Sequence, residues 1–297
     1  MRREAFAQYN PVINFIFFIG AVVMGMFFIH PVSAALSALC ALTYYIWLKR
    51  AGSFKFIVYL AVLFIVLTAL NPFFNTQGSL VLFMVFKRPY TLESLLYGAT
   101  LAGMVVSTLC WFACYNAVMT SDRFIYLFGK ILPSVSLTVS MILRLIPNFQ
   151  RRAERITSAR ECIGMAGSSS DGKIKRLRNG AVVLNTMLAW SLEDGMITAD
   201  SMLSRGYGSG KRSSFAVYRF DRYNVIIMAV LLITGGATVV FSFLGGMRAE
   251  FVPVMRIAWF ADPAMLAGHI CYLLFMLIPT ALNIKEAVVW RILRSRI

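Results

Sequence analysis

The chain has 297 residues, 59% of them hydrophobic and only 14% charged, a balance outside the range of an ordinary water-soluble domain. Its 29 Lys and Arg outnumber 13 Asp and Glu, and in so apolar a chain that excess means basic loops on the cytoplasmic side of a membrane and requires no nucleic acid. The five cysteines form no C-x-x-C pair, which suggests neither a disulfide framework nor a zinc site.

In chain order, the apolar runs that are long enough to cross a bilayer, or nearly so, are 11–29, 32–48, 56–70, 95–119, 224–245 and 264–282, so about six transmembrane helices are expected. The first run is longer than the apolar core of a signal peptide, about 7 to 15 residues, and further runs follow it, so it is expected to remain as a span. With both termini cytoplasmic, only Lys87, Arg88, Arg248 and Arg256 of the 29 basic residues fall outside. That asymmetry sets the orientation.

Between the third and fourth runs, "NPFFNTQGSLVLFMVFKRPYTLES" holds an apolar piece too short to span, flanked by Pro72, Gly78 and Pro89. It is expected to dip into the membrane or lie on it. The run 131–146 is apolar, but Pro133 and Arg144 interrupt it and a strongly basic stretch follows. Residues 124–146 are therefore read as a helix at the inner membrane face. The chain then divides into N-terminal membrane helices (1–119), a cytoplasmic helical segment (120–222), and C-terminal membrane helices with a basic tail (223–297). The fold class is all-α, polytopic, with long amphipathic cytoplasmic helices.

Within the cytoplasmic segment Leu184, Leu188, Leu192, Met196, Ala199 and Leu203 recur at helical spacing, with Met187, Trp190 and Ile197 beside them. So much apolar surface must be buried against membrane, other helices or a partner. The helix should stop at Gly206 as a left-handed cap, which puts Arg205 at its negative dipole end.

Few groups for chemistry are available. The two histidines, His30 and His269, each sit at the outer end of a run, there is no H-E-x-x-H, and Cys110 and Cys114 share a helix face as small packing residues. "DGMITAD" at 194–200 starts like the metal motif of membrane phosphatidyltransferases but lacks its Ala-Arg and spaced aspartates. "RGYGSGKRS" at 205–213 sets Gly206 and Gly210 one residue too close for a phosphate-binding loop and follows a helix. No catalytic residue, metal site or cofactor is expected in this chain.

"ADSMLSRGYG" at 199–208 resembles the second Ala-Arg-Gly-type motif of the transmembrane T component of energy-coupling factor (ECF) transporters, which import vitamins and metal ions into prokaryotes. "LNPFFNTQGSLVLF", "ESLLYG", "MTSDRFIYLFGKILPSVSLTVSMILRLIP" and "AWSLEDGMITADSMLSRGYG" are similar to segments of that family in the same order, covering most of 70–208. The resemblance implies a scaffold in the cell membrane that holds a membrane-embedded substrate-binding S component and two ABC-type ATPases. ATP and Mg would be bound by those ATPases. It implies that Arg205 enters an acidic groove on one ATPase, where the planar fork of Arg suits a carboxylate better than Lys does. Gly206 would turn the chain away, and Ser204 stands where the motif has Ala. The first motif of the pair falls in "ITSARECIGMAG". Anchoring on the glycine aligns Cys162-Ile163-Gly164, without an arginine; anchoring on Ala159-Arg160 leaves no glycine in place. Arg160 is the candidate, one helical turn before Gly164. Leu184, Leu188, Leu192 and Met196 would grip the S component.

Two other classes compete with this reading. A lipid-modifying membrane enzyme would need paired carboxylates at a membrane face, and a stand-alone secondary transporter would need ionisable residues inside spans and matching helix breaks in two halves. Neither pattern is present in the sequence.

Overall fold

The computed structural model describes residues 5–49, 52–75, 81–85, 88–129, 133–165, 172–207, 209–210, 221–246 and 263–295. The chain packs as two compact units, Met1–Phe124 with Tyr218–Ile297, and Ile125–Val217.

The first unit runs α1 (Ala5–Gln8), α2 (Pro11–Phe27), α3 (Pro31–Lys49), α4 (Ser53–Phe74), β1 (Val81–Val85), β2 (Arg88–Thr91) and α5 (Leu92–Val118), and α6 (Ser121–Gly129) follows. After the second unit come α9 (Arg222–Phe241), extended by a π-helical turn at Ser242–Gly246, and α10 (Pro263–Ser295). Local chemistry sets the helix starts. Asn10 accepts from the Val12 amide ahead of Pro11, Thr91 accepts from the Ser94 amide at 3.3 Å, and Asp221 accepts from the Arg222 amide at 2.8 Å, so free first-turn donors are satisfied.

Helices α3, α4, α5, α9 with its π-helical turn, and α10 are each long and apolar enough to cross a membrane. Helix α2, 17 residues long and largely apolar, lies at the short end of that range. This is an all-α polytopic membrane fold, and the six apolar helices among the described residues match the runs read from the sequence.

The core of this unit is aromatic. Phe17 stacks on Phe275 at 5.3 Å and meets Trp111 edge-on at 5.4 Å, while Phe6 packs on Phe17, Phe18 and Tyr44. Trp111 donates its indole N–H to the Ser37 hydroxyl at 3.1 Å, so a polar edge is paired where water is absent. Cys110 and Cys114 are wholly buried beside it as packing residues, with the Cys114 sulfur 3.9 Å from the Ala41 carbonyl. Helices α4 and α9 bury few residues and present Phe54, Ile65, Phe74, Ile226 and Ile233 outward. Facing lipid, such side chains carry no penalty.

Helices α4 and α5 approach closely at Gly98, where a Cβ would lie 2.6 Å from the Asn71 Cβ and 3.2 Å from the Thr68 carbonyl oxygen. A side chain has no room there, so the contact depends on glycine.

Two local features differ from expectation. The piece between α4 and α5 contains an antiparallel hairpin, with Phe83 opposite Tyr90, Met84 opposite Pro89 and Val85 opposite Arg88. Tyr90 ties it to α4 by donating to the Ala69 carbonyl at 3.0 Å. The single helix expected over 124–146 is two helices: α6 ends at Gly129 and α7 begins at Pro133. Proline lacks an amide donor and suits a first helical position, so it starts the second helix rather than extending the first.

Candidate functional site

The second unit is built on α7 (Pro133–Cys162) and α8 (Lys173–Ser204). Arg152 of α7 forms an ion pair with Asp194 of α8 and lies over the Trp190 ring at 5.8 Å. Farther along, Arg160 of α7 reaches Asn179 of α8 at 3.4 Å. Higher numbers on α7 meet lower numbers on α8, so the helices are antiparallel and their C-terminal ends point in opposite directions. From Asn179 to Ser204 the axis of α8 advances about 37 Å at 1.5 Å per residue.

Both helices end in the same cap. On α7 the Met165 amide donates to the Arg160 carbonyl at 2.9 Å and the Gly164 amide to the Glu161 carbonyl at 3.0 Å. On α8 the Tyr207 amide donates to Met202 and the Gly206 amide to Leu203, each at 2.9 Å. These paired six-to-one and five-to-two bonds define a Schellman motif. Gly164 and Gly206 hold φ values of 72° and 73°, the left-handed geometry that glycine adopts without strain. The matching hydrogen bonds set the two caps in register: Gly164 corresponds to Gly206, Ile163 to Arg205, Cys162 to Ser204, and Arg160 to Met202.

Gly206 therefore stops α8 as expected, and Arg205 sits at the C-cap, exposed, with no carboxylate partner among the described residues. The two motif candidates separate here. Arg160 lies three residues before the position equivalent to Arg205, and its guanidinium is turned inward, to the Met165 carbonyl at 3.5 Å and the Asn179 side chain at 3.4 Å. Ala159 precedes it within the helix. At the tip itself stand Ile163 and Met165, 66% and 61% exposed.

The apolar stripe of α8 is open. Leu184, Leu188, Leu192 and Met196 are all more than 60% exposed. Ser204 donates its hydroxyl to the Asp200 carbonyl at 2.8 Å and so stays folded on its own helix.

Sequence reasoning left His30 and His269 as separate polar residues at span ends. In the structure their rings meet at 4.9 Å and both are buried. A separation of 239 positions hides such a pair from any local pattern. No group of three or more His, Cys, Asp or Glu residues with metal-binding geometry occurs among the described residues.

The family model described as "CbiQ: Cobalt transport protein" matches residues 4–217, which takes in α1 to α8 and both caps. The chain belongs to this cobalt transport family. The family is one of membrane transport components, not of enzymes. Among curated proteins the chain is similar to the energy-coupling factor transporter transmembrane protein EcfT of Lactobacillus helveticus (strain DPC 4571), 30% identical over 108 residues. The match spans 36% of this chain and 39% of that relative.

Proposed function

We propose that the chain is the non-enzymatic scaffold of an ECF-type importer in a prokaryotic cell membrane, with both termini cytoplasmic. Its α7–α8 unit joins two ATPase subunits to a membrane-embedded S component that binds a vitamin or metal ion. ATP and Mg belong to the ATPases.

The observation that carries this reading is the exposed C-cap Arg205, held by the Gly206 turn at the end of a helix whose flank is an open apolar stripe. A guanidinium fixed at a helix tip can enter a groove and pair two N–H groups with one carboxylate. The stripe of Leu184, Leu188, Leu192 and Met196 offers the S component an apolar grip. The cross-bracing of Arg152 on Asp194 and Trp190 lets α7 and α8 move as a rigid pair. Nucleotide-driven movement of the ATPases then becomes movement of these helices, and the S component reorients with them.

The test is to purify the tagged chain from its native membrane and identify what accompanies it. Two ABC-type ATPase subunits and a small membrane protein are expected, with ATP-dependent substrate uptake when the set is reconstituted. A chain that purifies alone and moves substrate without ATPases overturns the reading. Single-cysteine labelling at Leu177, 74% exposed on α8, checks the orientation: the site should be reached from the cytoplasmic side alone.

A further inference from the structure

Helix α10 is longer than its membrane crossing needs. Its 33 residues, Pro263–Ser295, advance about 50 Å at 1.5 Å per residue, against a hydrocarbon core of about 30 Å. The start of α9 marks one boundary of that core, because Arg222 and Tyr223 lead into a run without charges. The Lys285 ammonium sits over the Tyr223 ring at 6.0 Å, which brings Lys285 of α10 to the same level. Residues Glu286 to Ser295 continue for about 15 Å beyond it, where the headgroup layer is only about 5 to 7 Å deep.

That overhang is not a polar helix. Ile284, Val288 and Ile292 follow at intervals of four, Val289 and Leu293 flank them, and all five are between 45% and 49% exposed. On a helix standing straight out of the bilayer they would meet water. The charges there are Lys285, Arg291 and Arg294 against one carboxylate, Glu286, which accepts the Trp290 indole N–H at 3.3 Å. Arg291 and Arg294 are exposed and form no ion pair among the described residues. Pro279, inside α10, has no amide to give the Phe275 carbonyl, and a helix bends at such a gap.

We propose that the end of α10, from Glu286 to Ser295, lies along the cytoplasmic face of the membrane and binds its anionic phospholipids. The apolar stripe enters the boundary between acyl chains and headgroups, while Arg291 and Arg294 pair with lipid phosphates. The charge pattern decides the occupant: an apolar stripe bordered by exposed arginines fits a surface that is apolar inside and anionic at its rim. Trp290 and Tyr223, 59% and 65% exposed, are aromatic residues of the kind enriched at headgroup level. Placement on the cytoplasmic side rests on the orientation proposed above.

The test uses the full-length chain, without partners, in vesicles of phosphatidylcholine alone or of equal parts phosphatidylcholine and phosphatidylglycerol. An environment-sensitive fluorescent amino acid replaces Leu293, about 12 Å past Lys285 along the helix. In the anionic vesicles its emission should shift to the blue and be quenched by a lipid with a nitroxide near its headgroup. The shift should be smaller in phosphatidylcholine alone and should fall in high salt. Arg291→Gln with Arg294→Gln should lose most of the difference between the two lipids, whereas Arg291→Lys with Arg294→Lys should keep it. Emission typical of water in both lipids, or an equal shift in both that ignores the arginine charges, overturns the proposal. So does a blue shift that appears only when a partner protein is added, which assigns the stripe to that protein. No ATPase or S component is present and both leaflets carry the same lipid, so failure here leaves the scaffold reading standing.

Discussion

His30 and His269 meet edge to face at 4.9 Å, joining the turn between α2 and α3 to the first turns of α10. The His30 Nδ1 accepts the Val32 amide at 3.2 Å, so the neutral ring carries its proton on Nε2, while the His269 Nδ1 faces the Met265 carbonyl at 2.8 Å and is the protonated nitrogen of its ring. The two rings are thus opposite tautomers, one with a donor and one with an acceptor at Nε2.

Burial, with the neighbouring His269 as the second cause, pushes the His30 pKa from 6.5 down to about 4. A depressed histidine pKa means that the folded protein keeps His30 neutral while the unfolded chain takes up a proton below about 6.5. The stability gained from neutral His30 is whole above that pH and is lost as pH falls toward 4. Thermal unfolding of the detergent-solubilised protein should shift down between pH 7 and pH 4.5, and His30→Phe should flatten that dependence. An unchanged pH profile in the variant would remove His30 as its source.

Gly98 lies against α4 with no space for a side chain. Gly98→Val should force α4 and α5 apart at a cost of about 1 to 3 kcal/mol, seen as a lower unfolding temperature. Gly180, which has open space around it, is the control: Gly180→Ala should be neutral or slightly stabilising, since alanine favours the helix.

Arg152 joins α7 to α8 twice, by charge to Asp194 and by its face to Trp190. Both ion-pair partners are partly exposed, so Asp194→Asn should cost no more than about 1 kcal/mol of stability. The larger effect should be local. Amide exchange in α8 near Asp194 should speed up while exchange in α5 stays as it was.

The Leu188 and Leu192 side chains stand open on α8. Leu188→Asp with Leu192→Asp should leave the chain folded, because neither is packed in the free unit, yet abolish retention of the S component, since a buried unpaired carboxylate costs several kcal/mol, roughly. Retention of the S component and full uptake would assign the stripe to another surface.

The membrane helices were legible in the sequence because lipid demands long uninterrupted apolar runs. The Gly206 stop and the exposure of Arg205 were legible too, since both follow from local backbone chemistry. The hairpin was not: the apolar residues 81–85 form a run that fits a buried strand or a membrane-lying piece equally well. The first motif was ambiguous because an arginine and a glycine each anchor it. Only the cap hydrogen bonds, Met165 to Arg160 and Gly164 to Glu161, show which residue stands where Arg205 stands on α8. The His30–His269 contact depends on how α10 packs, which no local pattern encodes.

The most direct test of the scaffold reading is the affinity of the ATPase subunits for the Arg205→Glu chain, measured beside the unaltered chain and Arg205→Lys. The Arg205 backbone amide donates to the Ser201 carbonyl at 3.2 Å, a bond any side chain at that position can keep, and its guanidinium forms no ion pair among the described residues, so folding should be preserved. Losing a buried charge-assisted pair costs on the order of 2 to 5 kcal/mol, which is about thirtyfold or more in affinity. Arg205→Lys should fall between, since the charge remains and the planar fork is lost. Uptake should fall in step with binding. If Arg205→Glu, properly folded, binds both ATPases as tightly as the unaltered chain and supports full uptake, Arg205 is a helix cap alone and the coupling site lies elsewhere.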